Sequence, residues 1–178
     1  MTEDGPKLFS QLSKSIDDLV SIIAVADGEM IGRTRLQKTA YLLELTGLGS
    51  GLPFAYKHYG PFSQELADTV EFAQLFGNLE EAQRQASWGG FYSVYTTGPD
   101  VVVEVDDGKR GIIELAKEAN PISLELAATA AFLATDGFED PWQETANRKP
   151  DKVSRLDDAK ALYKKLSAIA VPNAWPVI

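Results

Sequence analysis

His58 is the side chain of this sequence best suited to acid–base catalysis, because an imidazole titrates near neutral pH. It is the one histidine present and lies between Lys57 and Tyr59. A catalytic histidine needs a carboxylate and a nucleophile beside it, and the sequence contains no G-x-S-x-G motif that would supply the nucleophile. We therefore interpret His58 as a structural loop residue and expect no enzymatic activity.

Metal and cofactor chemistry is limited by composition. The 178 residues include no cysteine and one histidine, which excludes disulfides, thiolate ligands and multi-histidine metal centres. The sequence has four pairs of acidic residues: Asp17-Asp18, Glu80-Glu81, Asp106-Asp107 and Asp157-Asp158. Neighbours on a helix point about 100° apart, so such pairs do not converge on one ion. The GLGSG stretch precedes Pro53 and follows a predicted helix, unlike a phosphate-binding loop. We expect no cofactor and no metal.

Arg33, Arg35 and Lys38 form a small basic cluster at the start of a predicted helix. Positive charge at a helix N-terminus opposes the helix dipole, at a cost of about a few tenths of a kcal/mol, so these side chains favour a partner. The partner is an acidic residue of this chain, an acidic protein surface or a phosphate, and we favour an internal or rim salt bridge. A second basic run, in residues 148–155, is interleaved with aspartates that largely cancel its charge.

Hydrophobic periodicity predicts two helices in the first 46 residues. Residues 7–27 carry apolar side chains at spacings of three and four, and Gly28 supplies an inexpensive left-handed cap. Thr34 and Gln37 match a capping box, with Thr34 as the N-cap. This box predicts a second helix that runs to about Thr46.

A third helix and a hairpin follow. Residues 63–76 show helical periodicity, with Ser63 as the predicted cap and Leu75 or Phe76 on the apolar side. Gly89-Gly90 is typical of a two-residue hairpin turn within residues 82–97. Alternating aromatic and β-branched side chains after this turn favour strand over helix. The residues expected to flank the turn are Trp88 and Phe91.

The rest of the chain reads as mainly helical. VVVEV, at 101–105, predicts a short third strand, and helices are expected at 108–118, 121–134 and 154–169, followed by an irregular tail. Asn120-Pro121 marks a helix start, and Asp140-Pro141 with Gln143 is a further N-cap pattern. The helix at 121–134 is apolar on most sides, which indicates burial within the fold or against a partner. No run of about 18 apolar residues occurs, so we expect no membrane-spanning helix.

Helix, helix, helix and then a glycine-turned hairpin is the element order of a winged helix-turn-helix. We therefore expect a mainly α-helical protein with a β-hairpin. Residues 1–105 would form the winged-helix-like core with its N-terminal helix and hairpin wing. Residues 106–178 would form a C-terminal helical segment packed on that core, in one continuous domain or two.

Three short motifs carry a family resemblance. They are Leu36-Gln37-Lys38, Tyr59-Gly60-Pro61 and Glu65-Leu66. The region around them, roughly residues 30–100, resembles the Panacea (SocA-like antitoxin) domain and the uncharacterised bacterial YwgA-like proteins. Later LELAATAAFLATDG and RKP elements extend the likeness to YwgA-like chains to about residue 155. The resemblance implies a winged-helix-like fold, no catalysis, and neutralisation of a partner protein, as in toxin–antitoxin and phage-related loci.

Charge separates two hypotheses for the function, a protein-interaction module and a winged-helix DNA-binding regulator. A recognition helix that enters the major groove should present Arg, Lys, Asn or Gln. Residues 61–78 contain three carboxylates and neither Lys nor Arg, and the whole chain has a net charge of −9. We therefore favour contact with another protein or with a second copy of this chain, and we keep DNA as the alternative.

The expected contact surface combines the basic cluster, the loop before the third helix and the C-terminal tryptophans. Aromatic side chains dominate the energetics of many interfaces, which is why the tryptophans are included. The N-terminal stretch MTEDGPKLFSQ is polar and acidic and lacks an apolar signal core, so we expect the cytoplasm and no membrane partner. The candidate partner-binding residues are Arg33, Arg35, Lys38, His58, Tyr59, Trp142 and Trp175.

Overall fold

The computed structural model of the protein describes residues 4–178, with side chains from Lys7 onward. The first three residues of the polar N-terminal stretch lie outside this range. The described part is mainly helical with a small antiparallel sheet. Its helices are α1 (Asp4–Val25), α2 (Arg33–Leu45), α3 (Gln64–Leu75), α4 (Asp107–Glu118), α5 (Pro121–Thr135), α6 (Pro141–Arg148), a 3-10 helix (Pro150–Arg155) and α7 (Leu156–Leu166). Its strands are β1 (Glu29–Ile31), β2 (Ala55–Lys57), β3 (Gly60–Phe62), β4 (Glu80–Gln85) and β5 (Phe91–Thr96).

The strands form two antiparallel groups. One is a three-stranded sheet in the order β1-β5-β4, and the other is the β2-β3 hairpin. Met30 lies opposite Tyr95 in β5, and Ala82 lies opposite Val94. Met30 and Tyr95 share one face of the sheet and are both buried in the core, so that face packs on the helices.

The β4-β5 hairpin confirms the predicted pairing but not the predicted turn. Its loop runs from Ala86 to Gly90, with the Ala86 N–H donating to the Gly90 carbonyl (2.7 Å). Gly89 has a φ of 93°, whereas Gly90 is not in the left-handed region. A Cβ on Gly90 would overlap the ring of Trp88, which lies inside the loop rather than beside a two-residue turn. This close approach, and not a second positive φ, explains the second glycine.

The predicted third strand at 101–105 is wrong. Those residues form no ladder, because β1 already pairs with the edge of β5 opposite β4. Sequence periodicity missed β1 and the β2-β3 hairpin, since each of their strands has only three residues.

The predicted capping box is also wrong. Helix α2 begins two residues earlier than predicted. Its N-cap is Gly32, which has a φ of 97° and provides no side-chain cap. Thr34 therefore lies inside the helix, and Gln37 is buried and bonds to another segment. In contrast, Ser63 caps α3 as expected, accepting a hydrogen bond from the Leu66 N–H (3.1 Å).

Helix α5 lies at the centre of the molecule. The Asn120 side chain accepts hydrogen bonds from the first free N–H groups, and Pro121 occupies the first turn, where it loses no hydrogen bond. Residues 123–131 of this helix are all buried, and α5 packs against α2, α6, α7 and β3. Its all-round apolar character is thus satisfied inside the fold. Within residues 4–178, no helix combines the length and apolarity that crossing a bilayer requires.

Candidate functional site

The Leu36-Gln37-Lys38 motif of α2 holds the segment that follows the β2-β3 hairpin. The Gln37 Nε2 donates to the Ser63 carbonyl (2.9 Å), and the Ser63 N–H donates to Gln37 Oε1 (2.8 Å). The ammonium group of the next residue, Lys38, donates to the Pro61 carbonyl (2.6 Å). Gln37, Lys38 and Ser63 are all buried, so these bonds satisfy main-chain groups that water cannot reach.

Gly60 explains why the Tyr59-Gly60-Pro61 motif has glycine at its centre. Its φ is +84°, in the left-handed region that other residues rarely adopt. A Cβ there would also collide with the Thr129 hydroxyl of α5. The hairpin therefore rests directly on the central helix, and glycine is required both by the backbone angle and by the contact.

A cluster of three lysines and one glutamate lies beneath this hairpin. Glu125 of α5 forms ion pairs with Lys149 (3.1 Å) and Lys152 (2.7 Å), and Lys149 also donates to the His58 carbonyl. Burial lowers the pKa of Lys38 to about 8, an effect opposed by the charge of Glu125 and reinforced by those of Lys149 and Lys152. We call Lys38, Glu125, Lys149 and Lys152 the lysine cluster.

The lysine cluster borders a surface cavity of about 790 Å³ between the β2-β3 hairpin and the segment after α6. Tyr59 is 55% exposed, and its ring lies 5.2 Å from the Lys152 ammonium. The Arg148 guanidinium lies 4.6 Å from the centre of the Tyr56 ring. The cavity is lined by Tyr56, Lys57, His58, Tyr59, Arg148, Lys149, Asp151 and Lys152.

The three members of the predicted basic cluster do not share a surface. Arg33 is exposed and pairs with Glu81 (3.2 Å), which is the rim salt bridge expected for it. Arg35 instead donates to three main-chain carbonyls at the end of α4, those of Ala116, Lys117 and Ala119, at 2.6–2.7 Å. Burial lowers the pKa of the Arg35 guanidinium. Arg35 thus caps a helix, and Lys38 belongs to the lysine cluster.

The two predicted tryptophans lie at a different place. Trp142 contacts Tyr163 edge to face (centroids 6.1 Å apart), and Tyr163 contacts Trp175 in the same way (5.9 Å). The Trp175 indole N–H donates to the Ile169 carbonyl, and the Tyr163 hydroxyl donates to the Pro176 carbonyl. These contacts hold the C-terminal tail on α7, and the tryptophans line a separate cavity of about 700 Å³. Of the predicted residues, Lys38, His58 and Tyr59 are therefore brought together at one place, and Trp142 and Trp175 at another.

Sequence reasoning missed Glu125, although a signal for it was present. Glu125 is the one charged residue of the SLELAATAAFLA stretch, and a carboxylate on an otherwise apolar helix needs a cationic partner when it is buried. Lys149 and Lys152 supply that partner from the run that seemed locally neutralised. Within residues 4–178, no three His, Cys, Asp or Glu side chains lie close enough to hold a metal ion.

Helix α3 also departs from expectation on its outer side. Leu75 and Phe76, one of which was expected to face the core, are 78% and 59% exposed, and Phe72 is 41% exposed. The rings of Phe72 and Phe76 stack with centroids 6.4 Å apart. We call these three residues the α3 apolar patch.

These features define a class of protein: mainly helical, with a small sheet, a central buried helix and a hairpin fixed on it by an α2 motif. No protein-family model matches the chain, and no solved structure matches it. The uncharacterized protein YwgA of Bacillus subtilis (strain 168) is 30% identical to it over 120 residues, which cover 64% of this chain and 70% of YwgA. The chain belongs to the YwgA family.

Proposed function

We propose that this protein is a non-enzymatic protein-interaction module built on a winged-helix-like core, and that it binds a partner protein through the outer face of α3. The observation that carries the proposal is the composition of that face. It presents a large apolar patch beside carboxylates and no cation.

The winged-helix part of the proposal is supported by topology. A winged helix has a helix, a strand, two helices and two further strands, with the first strand paired to the last. Here α1, β1, α2, α3, β4 and β5 follow in that order, and the sheet order is β1-β5-β4. The β2-β3 hairpin is then an insertion between the two middle helices. In this arrangement α3 takes the place of the recognition helix.

The α3 apolar patch supports a protein partner. Exposed large apolar side chains that lie together mark interaction surfaces, and stacked aromatic rings are effective anchors. Glu65, Asp68 and Glu71 are exposed on the same helix. A complementary partner would present an apolar surface with a basic rim.

The resemblance to the Panacea (SocA-like antitoxin) domain supports a more specific partner, a toxin-like protein that this chain neutralises by binding. The cysteine-free composition fits a reducing compartment, and we place the module in the cytoplasm.

The test is co-purification with the products of the neighbouring reading frames, followed by calorimetric titration of any complex. A Phe72→Ser/Phe76→Ser variant should bind at least about tenfold more weakly, because it removes the aromatic anchors. Trp88→Ser is the matched control, since Trp88 is 77% exposed but lies on the hairpin loop. Equal weakening by both variants, or unchanged binding by the α3 variant, would refute the assignment to α3.

A DNA-binding regulator is the second candidate, and the same element order favours it. The α3 face argues against it, because major-groove readout would bring its carboxylates against phosphates. Arg84 is the only cation in strands β4 and β5, and it pairs with Glu29 at 3.7 Å. We therefore rank protein binding first.

A further inference from the structure

The charges in and under the β2-β3 cavity do not balance. The cavity lining has four cations, Lys57, Arg148, Lys149 and Lys152, and one carboxylate, Asp151. Arg148 is also paired with Glu144 at 2.6 Å, which leaves the surplus on the three lysines. Beneath the lining lie two further charged groups of opposite sign, those of Lys38 and Glu125. The surplus of positive charge contrasts with a chain whose net charge is −9.

Part of the surplus positive charge is buried, where the free-energy cost of an unpaired charge is highest. Lys38 is 1% exposed and Lys149 is 5% exposed. The Glu125 carboxylate pairs with Lys149 and Lys152, and its charge also acts on Lys38. Burying an ammonium group is costly unless a counter-charge compensates it. One carboxylate among three ammonium groups leaves the cluster with uncompensated positive charge that faces the cavity.

The cavity offers room and shape for the missing anion. Its volume of about 790 Å³ lies within the range of about 300–1,000 Å³ that is typical of small-molecule sites. The exposed Tyr59 ring forms one wall beside Lys149 and Lys152, at 5.8 and 5.2 Å from their ammonium groups. The Lys57 side chain is exposed at the rim, where it can reach a second anionic group.

We propose that this cavity is a binding site for an oligophosphate, held by Lys149 and Lys152 at its base and by Lys57 at its rim. Lysine binds phosphate as a point charge, and a phosphate dianion matches two ammonium groups better than a single carboxylate does. The tyrosine wall gives a surface on which a nucleobase can stack. Oligophosphate is the shared chemistry of inorganic pyrophosphate and a nucleoside diphosphate.

The experiment titrates the full chain with inorganic pyrophosphate, ADP and succinate at constant ionic strength, with calorimetry for affinity and amide NMR for location. We expect saturable binding of pyrophosphate or ADP, with the largest amide shifts at residues 57–61 and 148–152, and no saturable binding of succinate. ADP binding tighter than pyrophosphate by about tenfold would identify a nucleotide, and equal binding would identify the oligophosphate itself.

Three variants test the assignment. Lys152→Met keeps the apolar stem and should weaken pyrophosphate binding at least about tenfold, while Lys57→Gln should weaken it about threefold. Lys164→Gln is the matched control, because this exposed lysine lines the tail cavity instead. Lys57 is exposed, so its variant is expected to fold and decides the question even if Lys152→Met unfolds.

Two outcomes would overturn the proposal. One is the absence of saturable binding of both phosphate ligands at millimolar concentration. The other is equal weakening by Lys57→Gln and Lys164→Gln, which would indicate general charge screening rather than a site. Neither outcome depends on the α3 surface, so this inference and the proposed protein partner fail independently.

Discussion

Lys38 shows how a single buried side chain links the hairpin to the helices. Its ammonium group donates to the Pro61 carbonyl and lies 1% exposed among charges of both signs. Burial lowers its pKa to about 8, against 10.5 for a free lysine side chain. The folded state therefore holds this proton less tightly than the unfolded chain does.

This difference predicts a pH dependence of stability. Between about pH 8 and 10.5 the unfolded chain binds more protons at Lys38, so the free energy of unfolding rises with pH. Below pH 8 both states are protonated and the cost of burying the charge is fully present. Relative to Lys38→Met, the wild type should gain roughly 2–3 kcal/mol between pH 7 and 10. Urea unfolding at several pH values measures the gain.

The measurement should stop near pH 10. Burial raises the pKa of Tyr163 to about 12, so above pH 10 its ionisation in the unfolded chain lowers stability and masks the lysine. Lys164→Met, which changes an exposed lysine, should follow the wild type throughout. Parallel curves for wild type and Lys38→Met would contradict the prediction.

Helices α2 and α4 are joined by the Arg35 side chain. Its guanidinium donates to three carbonyls that end α4, groups that the helix itself leaves unpaired. The positive charge also complements the negative end of the helix dipole. A residue that seemed unfavourable at the start of its own helix thus stabilises the end of another.

Replacing Arg35 should loosen this junction. Arg35→Met is expected to lower the free energy of unfolding by about 2 kcal/mol, because three partly buried carbonyls lose a charged donor. Arg35→Lys should lose less, since it keeps the charge but not the planar fork. Hydrogen exchange should increase at the end of α4. Arg33→Met is the comparison, with a change near 0.5 kcal/mol for an exposed pair, and equal losses at the two positions would refute the capping role.

The elements differ in how well sequence predicts them. Helices α3, α5 and α6 are marked by local caps at Ser63, Asn120 and Asp140, and these caps act as the pattern indicates. Strand β1 carries no such signal, because three residues are too few for a period and their pairing partner lies more than sixty residues away. Local features such as helix caps can be predicted from a sequence, whereas the pairing of strands that lie far apart in the chain cannot.

The candidate site follows the same division. Tyr59-Gly60-Pro61 and Leu36-Gln37-Lys38 stand out as motifs in the sequence, but nothing local shows that one holds the other. Gln37 satisfies the capping-box pattern equally well, and only the fold directs its amide to Ser63. Glu125 was visible as an isolated charge, but its lysine partners come from 24 and 27 residues further along.

At the scale of the whole molecule, the distribution of charge limits which partners the protein can bind. The chain carries a net charge of −9. Four of its cations line the β2-β3 cavity, and none lies in α3. Long-range repulsion of a phosphate backbone opposes non-specific DNA binding. The cavity admits an oligophosphate without giving the surface a basic stripe.

We therefore expect random duplex DNA to bind no tighter than high micromolar at physiological salt, as measured by fluorescence anisotropy. Lowering the salt should raise the affinity only slightly, because few phosphates are neutralised. Nanomolar binding with a steep salt dependence would contradict this expectation and favour the DNA-binding alternative.

The Gln37 amide hydrogen-bonds to main-chain atoms of Ser63, and Lys38 donates to the main chain at Pro61. The amide supplies one donor and one acceptor, as the main chain of a neighbouring strand would. A side chain of a helix therefore makes the bonds that a paired strand usually makes. Bonds to main-chain atoms do not depend on which side chains the bonded segment carries. Replacing the His58 side chain should therefore leave the hairpin in place, because Gln37, Lys38 and Lys149 all bond to main-chain atoms there.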